Sequence, residues 1–313
     1  MATPSSMRPA AARGNRLRAT LIGGIAVLLW ATLALFTSST GAVPPFLKLA
    51  LTFGIAFLCA VLRWLWLVHK NGIGALGFLR QAWPAWAIGI GGLFGYHFFY
   101  FNALDRAPPV DASLIAYLWA LLIVLLSALL PGEKLRWEHL AGAALGLAGA
   151  ALLIVQRGGG GLSLSGAYVV GYLFALACAF TWSGYSLLNR RFGSASTDLV
   201  GAFCGATALL GLIAHLLFEE TILPAGAAQW GAIVALGLGP VGLAFFVWDY
   251  GVKHGDIKAL GACSYLSPLI STGLLILFGK AEASLAVGLA CLLIVGGAVL
   301  ASRDLWMRRP VRA

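Results

Sequence analysis

The chain has 313 residues, of which 60% are hydrophobic and only 10% are charged. Soluble domains contain roughly 25% charged residues, so this composition excludes a pair of soluble domains of the same total length. The net charge of +10 and the mean hydropathy of +0.91 instead indicate a membrane protein with basic loops and without a nucleic-acid partner.

Ten apolar segments are long enough to cross a bilayer, for which a helix needs roughly 20 residues. They are about twice as long as barrel strands and show no alternation of polar and apolar residues, so we predict an all-α polytopic membrane protein. The linkers are short and leave no room for an inserted soluble domain. The predicted spans are 19–38, 45–67, 82–104, 110–131, 138–156, 167–189, 198–218, 228–251, 258–279 and 284–303.

Residues 1–18 are polar and basic and precede the first apolar segment. This order fits either a cleaved signal peptide or an uncleaved first helix. The apolar stretch 21–35 is long for a signal peptide, which favours the uncleaved helix. We therefore expect a cytoplasmic N-terminal segment over 1–18 and a cytoplasmic tail over 304–313.

The distribution of Lys and Arg predicts the orientation of the bundle. With the N-terminus inside and ten alternating spans, 17 of the 21 Lys and Arg residues fall on the inner side. Only Lys48, Arg106, Arg157 and Lys280 fall outside. This asymmetry predicts that both termini are cytoplasmic.

The two halves of the chain, 19–157 and 165–303, show traces of an internal repeat. Because each half has five spans, an odd number, the second copy must enter the membrane from the opposite face. Two inverted repeats can pack against each other in two nearly equivalent arrangements, one open inward and one open outward, which is the geometry of alternating access. The aligned pairs include Phe98 with Phe246, Tyr117 with Tyr265 and Leu121 with Leu269 at an offset of 148, and Trp30 with Trp182 at 152.

Helix-breaking residues occur at matching depths of the two halves. Gly91 and Gly92 align with Gly239 and Pro240, and Pro268 interrupts the ninth span. We interpret these residues as hinges beside a substrate cavity. The alternative is close helix packing through small residues, an interpretation that we prefer for Gly142, Gly146, Gly296 and Gly297. Such faces would serve a monomer or a homodimer equally well.

His97 is the deepest ionisable residue in any predicted span, and Tyr96 and Tyr100 lie beside it. An ionisable residue inside the membrane suggests a function, although a neutral imidazole bonded between helices is the alternative. For His215, near the end of the seventh span, a structural role is favoured. No carboxylate lies at mid-membrane, since Asp249 is near the inner end of its span. This arrangement argues against strong proton coupling.

Aromatic residues make up 12% of the chain, and several lie deep in the predicted spans. Their O–H and N–H groups need polar partners in hydrocarbon, so we predict an aromatic-walled substrate pocket with few charges. Such a wall can stack a flat ring and hold an ammonium group. The alternative is ordinary helix packing. The candidate substrate-binding residues are Trp30, Tyr96, His97, Tyr100, Trp119, Trp182, Tyr185, Trp248 and Tyr265.

Enzymatic and cofactor chemistry find little support in the sequence. The five cysteines are scattered in apolar runs, without the spacing of a zinc site or a disulfide framework. The chain contains no Walker A motif. Ser183 lies in a loose likeness of a serine-nucleophile motif that lacks its first glycine. We therefore predict no catalytic residues, no metal and no cofactor.

Residues 112–135 read ASLIAYLWALLIVLLSALLPGEKL, and residues 264–269 repeat part of them as SYLSPL. These stretches resemble the fourth helix and following loop of the drug/metabolite transporter superfamily, EamA type. The family usually has Pro where Ala120 stands, and residues 279–282 also depart from its usual Gly-Glu pair. The resemblance implies a bacterial inner-membrane exporter with a central cavity, and within the family the aromatic residues resemble those of aromatic amino-acid exporters.

We therefore predict a ten-helix exporter of amino acids, preferring aromatic ones, without strong proton coupling. An exporter of drugs, quaternary cations or other metabolites is the alternative. We expect the substrate ring to stack on Trp119 or Trp182 and its carboxylate to receive hydrogen bonds from His97 and from tyrosines. Lys258 at the inner mouth either attracts that carboxylate or serves only as a topology signal.

Overall fold

The computed structural model describes residues 9–157, 165–191, 193–278, 284–301 and 303. Within these ranges the chain forms fourteen α-helices and no β-strand. The predicted N-terminal segment is described only from residue 9, and the tail 304–313 and residues 279–282 lie outside the described residues. The helices are α1 (Pro9–Ala31), α2 (Leu33–Thr37), α3 (Pro45–Asn71), α4 (Trp83–Arg106), α5 (Pro109–Ala116), α6 (Leu118–Leu126), α7 (Trp137–Arg157), α8 (Val169–Arg191), α9 (Leu199–Phe218), α10 (Ala227–Leu238), α11 (Ala244–His254), α12 (Ile257–Cys263), α13 (Leu266–Leu277) and α14 (Leu285–Ala301).

Seven helical segments in the described part of the chain are long and apolar enough to cross a membrane, so the protein is a multi-pass membrane protein. Many of their outward side chains are large and apolar, such as Leu62, which is 67% exposed, and Leu217, which is 69% exposed. Such side chains are suited to a lipid environment. The seven segments are Gly14–Thr37, Pro45–Asn71, Asp111–Leu129, Trp137–Gln156, Gly166–Arg190, Leu199–Phe218 and Ala227–His254.

Several predicted spans consist of two consecutive helices with a short break between them. The fourth span breaks at Tyr117, between α5 and α6. The eighth contains a π-helical turn over Gly239–Leu243, where Pro240 lacks the N–H that a regular helix needs.

Two predicted break positions need correction. The ninth span breaks at Ser264 and Tyr265, before Pro268, which occupies the first turn of α13. A proline is tolerated there because the first N–H groups of a helix have no internal partner. Helix α4 runs without interruption through Gly91 and Gly92, so the expected break in the third span is absent from this structure.

The helices pack most extensively in four pairs, which are α7 with α14, α3 with α9, α4 with α8, and α1 with α11. Glycines allow the close approach in these pairs. A Cβ on Gly142 of α7 would lie 2.5 Å from the carbonyl oxygen of Gly297 on α14. The predicted packing role of these two glycines therefore agrees with their positions, whereas Gly296 faces open space.

Candidate functional site

Four tryptophans from four different helices meet in the interior of the bundle. Trp30 comes from α1, Trp119 from α6, Trp182 from α8 and Trp248 from α11. All six pairs of their rings have centroids between 5.1 and 6.3 Å apart. We call these four residues the tryptophan cluster. Most of the pairs meet edge to face, an arrangement that aromatic rings prefer over a face-to-face sandwich.

Helix α4 lies beside the tryptophan cluster and contacts it through Tyr96, whose ring also packs against His97 and Tyr100 of the same helix. The Tyr96 ring lies 5.4 Å from that of Trp182 and stacks on Tyr100 at 6.1 Å. The hydroxyl of Tyr100 is 3.1 Å from that of Ser113 on α5. These three α4 side chains are half-buried, whereas most of the tryptophan cluster is buried. The α4 residues therefore form the more accessible side of the site.

His97 has a defined hydrogen-bonding role. Its Nδ1 lies 2.7 Å from the carbonyl oxygen of Leu93. Because a carbonyl oxygen only accepts, Nδ1 carries the proton, and the Nε2 of a neutral ring is left as an acceptor. We find no hydrogen-bond partner for Nε2 among the described residues. The ring packs edge-on against Phe53 at 5.3 Å, in apolar surroundings that disfavour an imidazolium ion. We expected His97 to donate a hydrogen bond to the substrate carboxylate. In this geometry its Nε2 is instead an acceptor, so it suits a donor such as an ammonium group.

Two further predicted tyrosines lie in the interior. The ring of Tyr185 packs against Trp182 at 5.2 Å, and its buried hydroxyl has no hydrogen-bond partner in the described part of the chain. Tyr265 stacks on Tyr117 at 6.5 Å, and its hydroxyl donates to the Tyr117 carbonyl. Tyr265 and Trp248 are both 0% exposed, so a substrate reaches them only after a rearrangement of the bundle.

Three further aromatic residues belong to this region but are not among the candidates predicted from the sequence. Phe53 stacks on Phe245 at 5.4 Å, and the Phe245 ring also lies 5.6 Å from that of Trp182. Phe245 is the repeat counterpart of His97 at the offset of 148, so the internal repeat is a signal that identifies it. Tyr117 was seen only as the repeat counterpart of Tyr265. No comparable signal existed for Phe53, which is one of many apolar residues in α3.

The predicted hinge residues differ in their surroundings. A Cβ on Gly92 would lie 2.5 Å from the ring of Tyr185, so this glycine lets α4 approach α8 beside the site. Gly91 faces open space. Gly239 and Pro240 begin the π-helical turn that leads into α11 and Trp248.

Two charged residues have roles that differ from a substrate contact. Asp249 is fully buried and pairs with Lys253 at 2.9 Å, and it also accepts hydrogen bonds from Asn189 and Thr197. Lys258 pairs with Glu133 at 3.0 Å. The expectation that Lys258 attracts the substrate carboxylate therefore does not hold for this conformation, because its ammonium group is already engaged.

The described residues contain no group of three or more His, Cys, Asp or Glu side chains that could hold a metal ion. His215, for which a structural role was predicted, is buried and lies 2.9 Å from both Glu219 and Thr221. The polar groups around the tryptophan cluster include the Ser186 hydroxyl, which accepts from Nε1 of Trp248 at 3.1 Å, the imidazole of His97 and the paired carboxylate of Asp249. Such groups can bind a small polar molecule with an apolar ring.

Comparisons with known proteins agree with this architecture. The profile of the EamA-like transporter family matches residues 17–155 and again residues 169–303. The aromatic amino acid exporter YddG of Ancylobacter novellus is 55% identical over 288 residues, which cover 92% of this chain and 98% of that protein. The exporter of the same name from Escherichia coli is 24% identical over 91% of this chain and 97% of its own length. A crystal structure at 53% identity superposes with a TM-score of 0.86 and covers 94% of this chain and 100% of that one. The chain therefore belongs to the EamA-like transporter family.

Proposed function

We propose that this protein exports amino acids, with a preference for aromatic ones, across the bacterial inner membrane. The observation that carries this proposal is the tryptophan cluster with the half-buried face of α4 beside it. Its rings offer stacking surfaces for an aromatic side chain, and few charges lie nearby. The YddG exporter that is 55% identical over 92% of the chain supports the same substrate class.

The three parts of such a substrate have matching partners in the site. The aromatic side chain stacks against Trp182 or Trp119. The ammonium group donates to Nε2 of His97 and lies over aromatic rings, which attract cations. The carboxylate accepts from tyrosine hydroxyls, and the proposed donor is the buried hydroxyl of Tyr185, which has no hydrogen-bond partner in the described part of the chain and becomes accessible when the bundle rearranges. One chain supplies all of these residues, so the proposed transport unit is a single chain, alone or within a homodimer.

Ten membrane spans in two inverted repeats, residues 19–157 and 165–303, form the proposed framework. Besides the seven segments above, the spans are α4, α12 with α13, and α14. The pairing of helices supports this layout. If each span is exchanged with the span five places later, the same set of helix pairs is obtained. The pairs α7–α14 and α3–α9 map onto themselves, and α4–α8 maps onto α1–α11. The two matches of the family profile support the same duplication.

Contacts between repeat-related residues also support the inverted repeat. Trp30 lies 5.7 Å from Trp182, His97 lies 6.3 Å from Phe245, and Tyr117 lies 6.5 Å from Tyr265. A residue touches its own counterpart only when both lie close to the axis that relates the repeats. The proposed substrate site is therefore on that axis, where alternating access needs it. The break at Gly239 and Pro240 is the proposed hinge.

The excess of Lys and Arg on one side supports an orientation with both termini in the cytoplasm. We also propose facilitated transport, since the buried Asp249 is paired with Lys253 and is not a free proton relay. Efflux of phenylalanine from proteoliposomes with and without a pH gradient tests this point. Equal rates are expected, and a strong dependence on the gradient would refute uncoupled transport.

The substrate class is tested by efflux of phenylalanine, alanine and a quaternary ammonium compound from proteoliposomes. An aromatic contact contributes about 0.5–1.5 kcal/mol, so Trp182→Ala should reduce phenylalanine export roughly two- to tenfold. Trp182→Phe keeps a ring and should retain more activity. Trp137→Ala is the matched control because that side chain is 65% exposed. Unchanged phenylalanine export by Trp182→Ala would contradict the site, and preferred export of the quaternary cation would favour a drug exporter.

A further inference from the structure

Five charged side chains meet at the end of the bundle where α1 begins. Glu133, in the loop between α6 and α7, is the centre of this group. Its Oε1 accepts from Arg190 at 2.7 Å and from Arg16 at 3.2 Å, and its Oε2 pairs with Lys258 at 3.0 Å. Arg16 also pairs with Asp256 at 2.9 Å. We call these five residues the Glu133 network.

The centre of the Glu133 network is shielded from solvent, whereas the side chains of Arg16 and Arg190 are 41% and 21% exposed. The side chains of Glu133 and Lys258 are each only 7% exposed. Burial raises the pKa of the Glu133 carboxyl, but the hydrogen bond and charge of Lys258, with Arg16 and Arg190, outweigh it and lower the pKa. Glu133 is therefore ionised at neutral pH, and three cations share its charge.

Backbone contacts attach the same side chains to their neighbouring segments. Lys258 donates to the carbonyl oxygen of Lys134 at 3.0 Å, and Arg190 donates to that of Gly255 at 2.9 Å. Asp256 caps the first turn of α12 by accepting from the amides of Lys258 and Ala259. Because of these hydrogen bonds, the charged groups move together with the helices and loops that carry them.

The members of the Glu133 network come from both halves of the chain. Glu133 and Arg16 belong to the first half, whereas Arg190, Asp256 and Lys258 belong to the second. The loop that carries Glu133 therefore cannot move away from α8 and α12 unless Glu133 loses Arg190 and Lys258. We propose that Glu133 closes the cytoplasmic end of the transport pathway and that its release from these cations opens that end.

This inference rests on the cytoplasmic orientation and alternating access proposed above, but not on the identity of the substrate. The ratio of cations to carboxylates explains why the loss of one carboxylate is enough to open this end. The network holds three cations and two carboxylates. If Glu133 loses its charge, three cations are left with Asp256 alone, and the buried Lys258 loses its only carboxylate in the described network. Cations without a carboxylate partner repel one another, and the buried Lys258 favours hydration, which here means separation of the Glu133 loop from α8 and α12.

The distance between the Glu133 loop and the end of α11 tests the proposal directly. Spin labels are attached at Lys134→Cys and His254→Cys, two exposed positions, in a full-length protein without its native cysteines. The Lys134 carbonyl that accepts from Lys258 is retained. Pulsed electron resonance in lipid nanodiscs then gives the distance distribution without any substrate. The parent protein should give a single short population, and Glu133→Gln should shift most of it to longer distances.

Asp198→Asn is the matched control, because it removes a carboxylate at the same end of the bundle. Asp198 pairs with one guanidinium, that of Arg63, which is 54% exposed, and such pairs contribute little. Its distribution should equal that of the parent. If Glu133→Gln does not fold, Glu133→Asp keeps the charge but withdraws it from the three cations by one methylene, and should give a smaller shift in the same direction. An unchanged distribution in the folded variant, or an equal shift in Asp198→Asn, would overturn the role of Glu133. Phenylalanine efflux is measured on the same variants. Longer spin-label distances without phenylalanine efflux would contradict the proposed substrate but leave the role of Glu133 intact.

Discussion

Helices α1 and α11 touch through two glycines, and this contact allows a quantitative prediction. A Cβ added to Gly23 would lie 2.8 Å from the Cα of Gly251 and 3.0 Å from a methyl group of Leu260. The methyl group can rotate away, but the Cα belongs to the backbone of α11. Gly23→Ala therefore forces the two helices apart.

The cost of Gly23→Ala can be estimated from two opposing effects. Overpacking of this kind costs about 1–3 kcal/mol. Replacing a glycine by alanine inside a helix recovers up to ~1 kcal/mol. Gly24 is the next residue on the same helix, and a Cβ there meets nothing within 4 Å. Gly24→Ala therefore gains the helix propensity without the clash, and the two variants should differ by about 1–3 kcal/mol.

Thermal unfolding of the two variants in one detergent provides the assay, with tryptophan fluorescence as the signal. Gly23→Ala should unfold at a lower temperature than the parent, and Gly24→Ala at the same or a higher temperature. Because α1 and α11 carry Trp30 and Trp248, Gly23→Ala should also slow phenylalanine efflux. Equal unfolding temperatures for the two variants would show that α1 and α11 do not meet through their backbones.

Two further predictions concern groups with defined surroundings. Tyr185→Phe removes a buried hydroxyl that has no partner in the described chain, and an unsatisfied buried group costs about 1–3 kcal/mol, so thermal stability should be unchanged or higher. If that hydroxyl holds the substrate carboxylate, phenylalanine efflux should nevertheless fall; unchanged efflux would exclude this role. For Glu133, the lowered pKa means that its ion pairs are lost only as the pH falls through a value below the ordinary 4.5. The spin-label distances should therefore be constant from pH 8 to pH 5 and lengthen only below this range, whereas lengthening near neutral pH would contradict the assignment.

The hydrophobic runs alone were enough to predict a helical membrane protein, because a chain in lipid must satisfy its backbone hydrogen bonds within each segment. The residues Trp119 and Trp182 were also recognisable, since deep aromatic side chains are conspicuous among aliphatic ones. The breaks were less predictable. Pro268 lies after the break that it was expected to cause, and α4 continues through its glycines, because neighbouring helices decide where a span bends.

Only the tertiary structure decided which groups meet. Residues 16, 133 and 190 are far apart along the chain and far from the neighbouring residues 256 and 258, and nothing in their local patterns shows that all five form one network. The edge-on contact of His97 on α4 with Phe53 on α3 likewise joins two different helices. Composition and periodicity show, for each segment separately, whether it lies in lipid, at the interface or in water. Contacts between segments arise from packing, and packing depends on the whole chain at once.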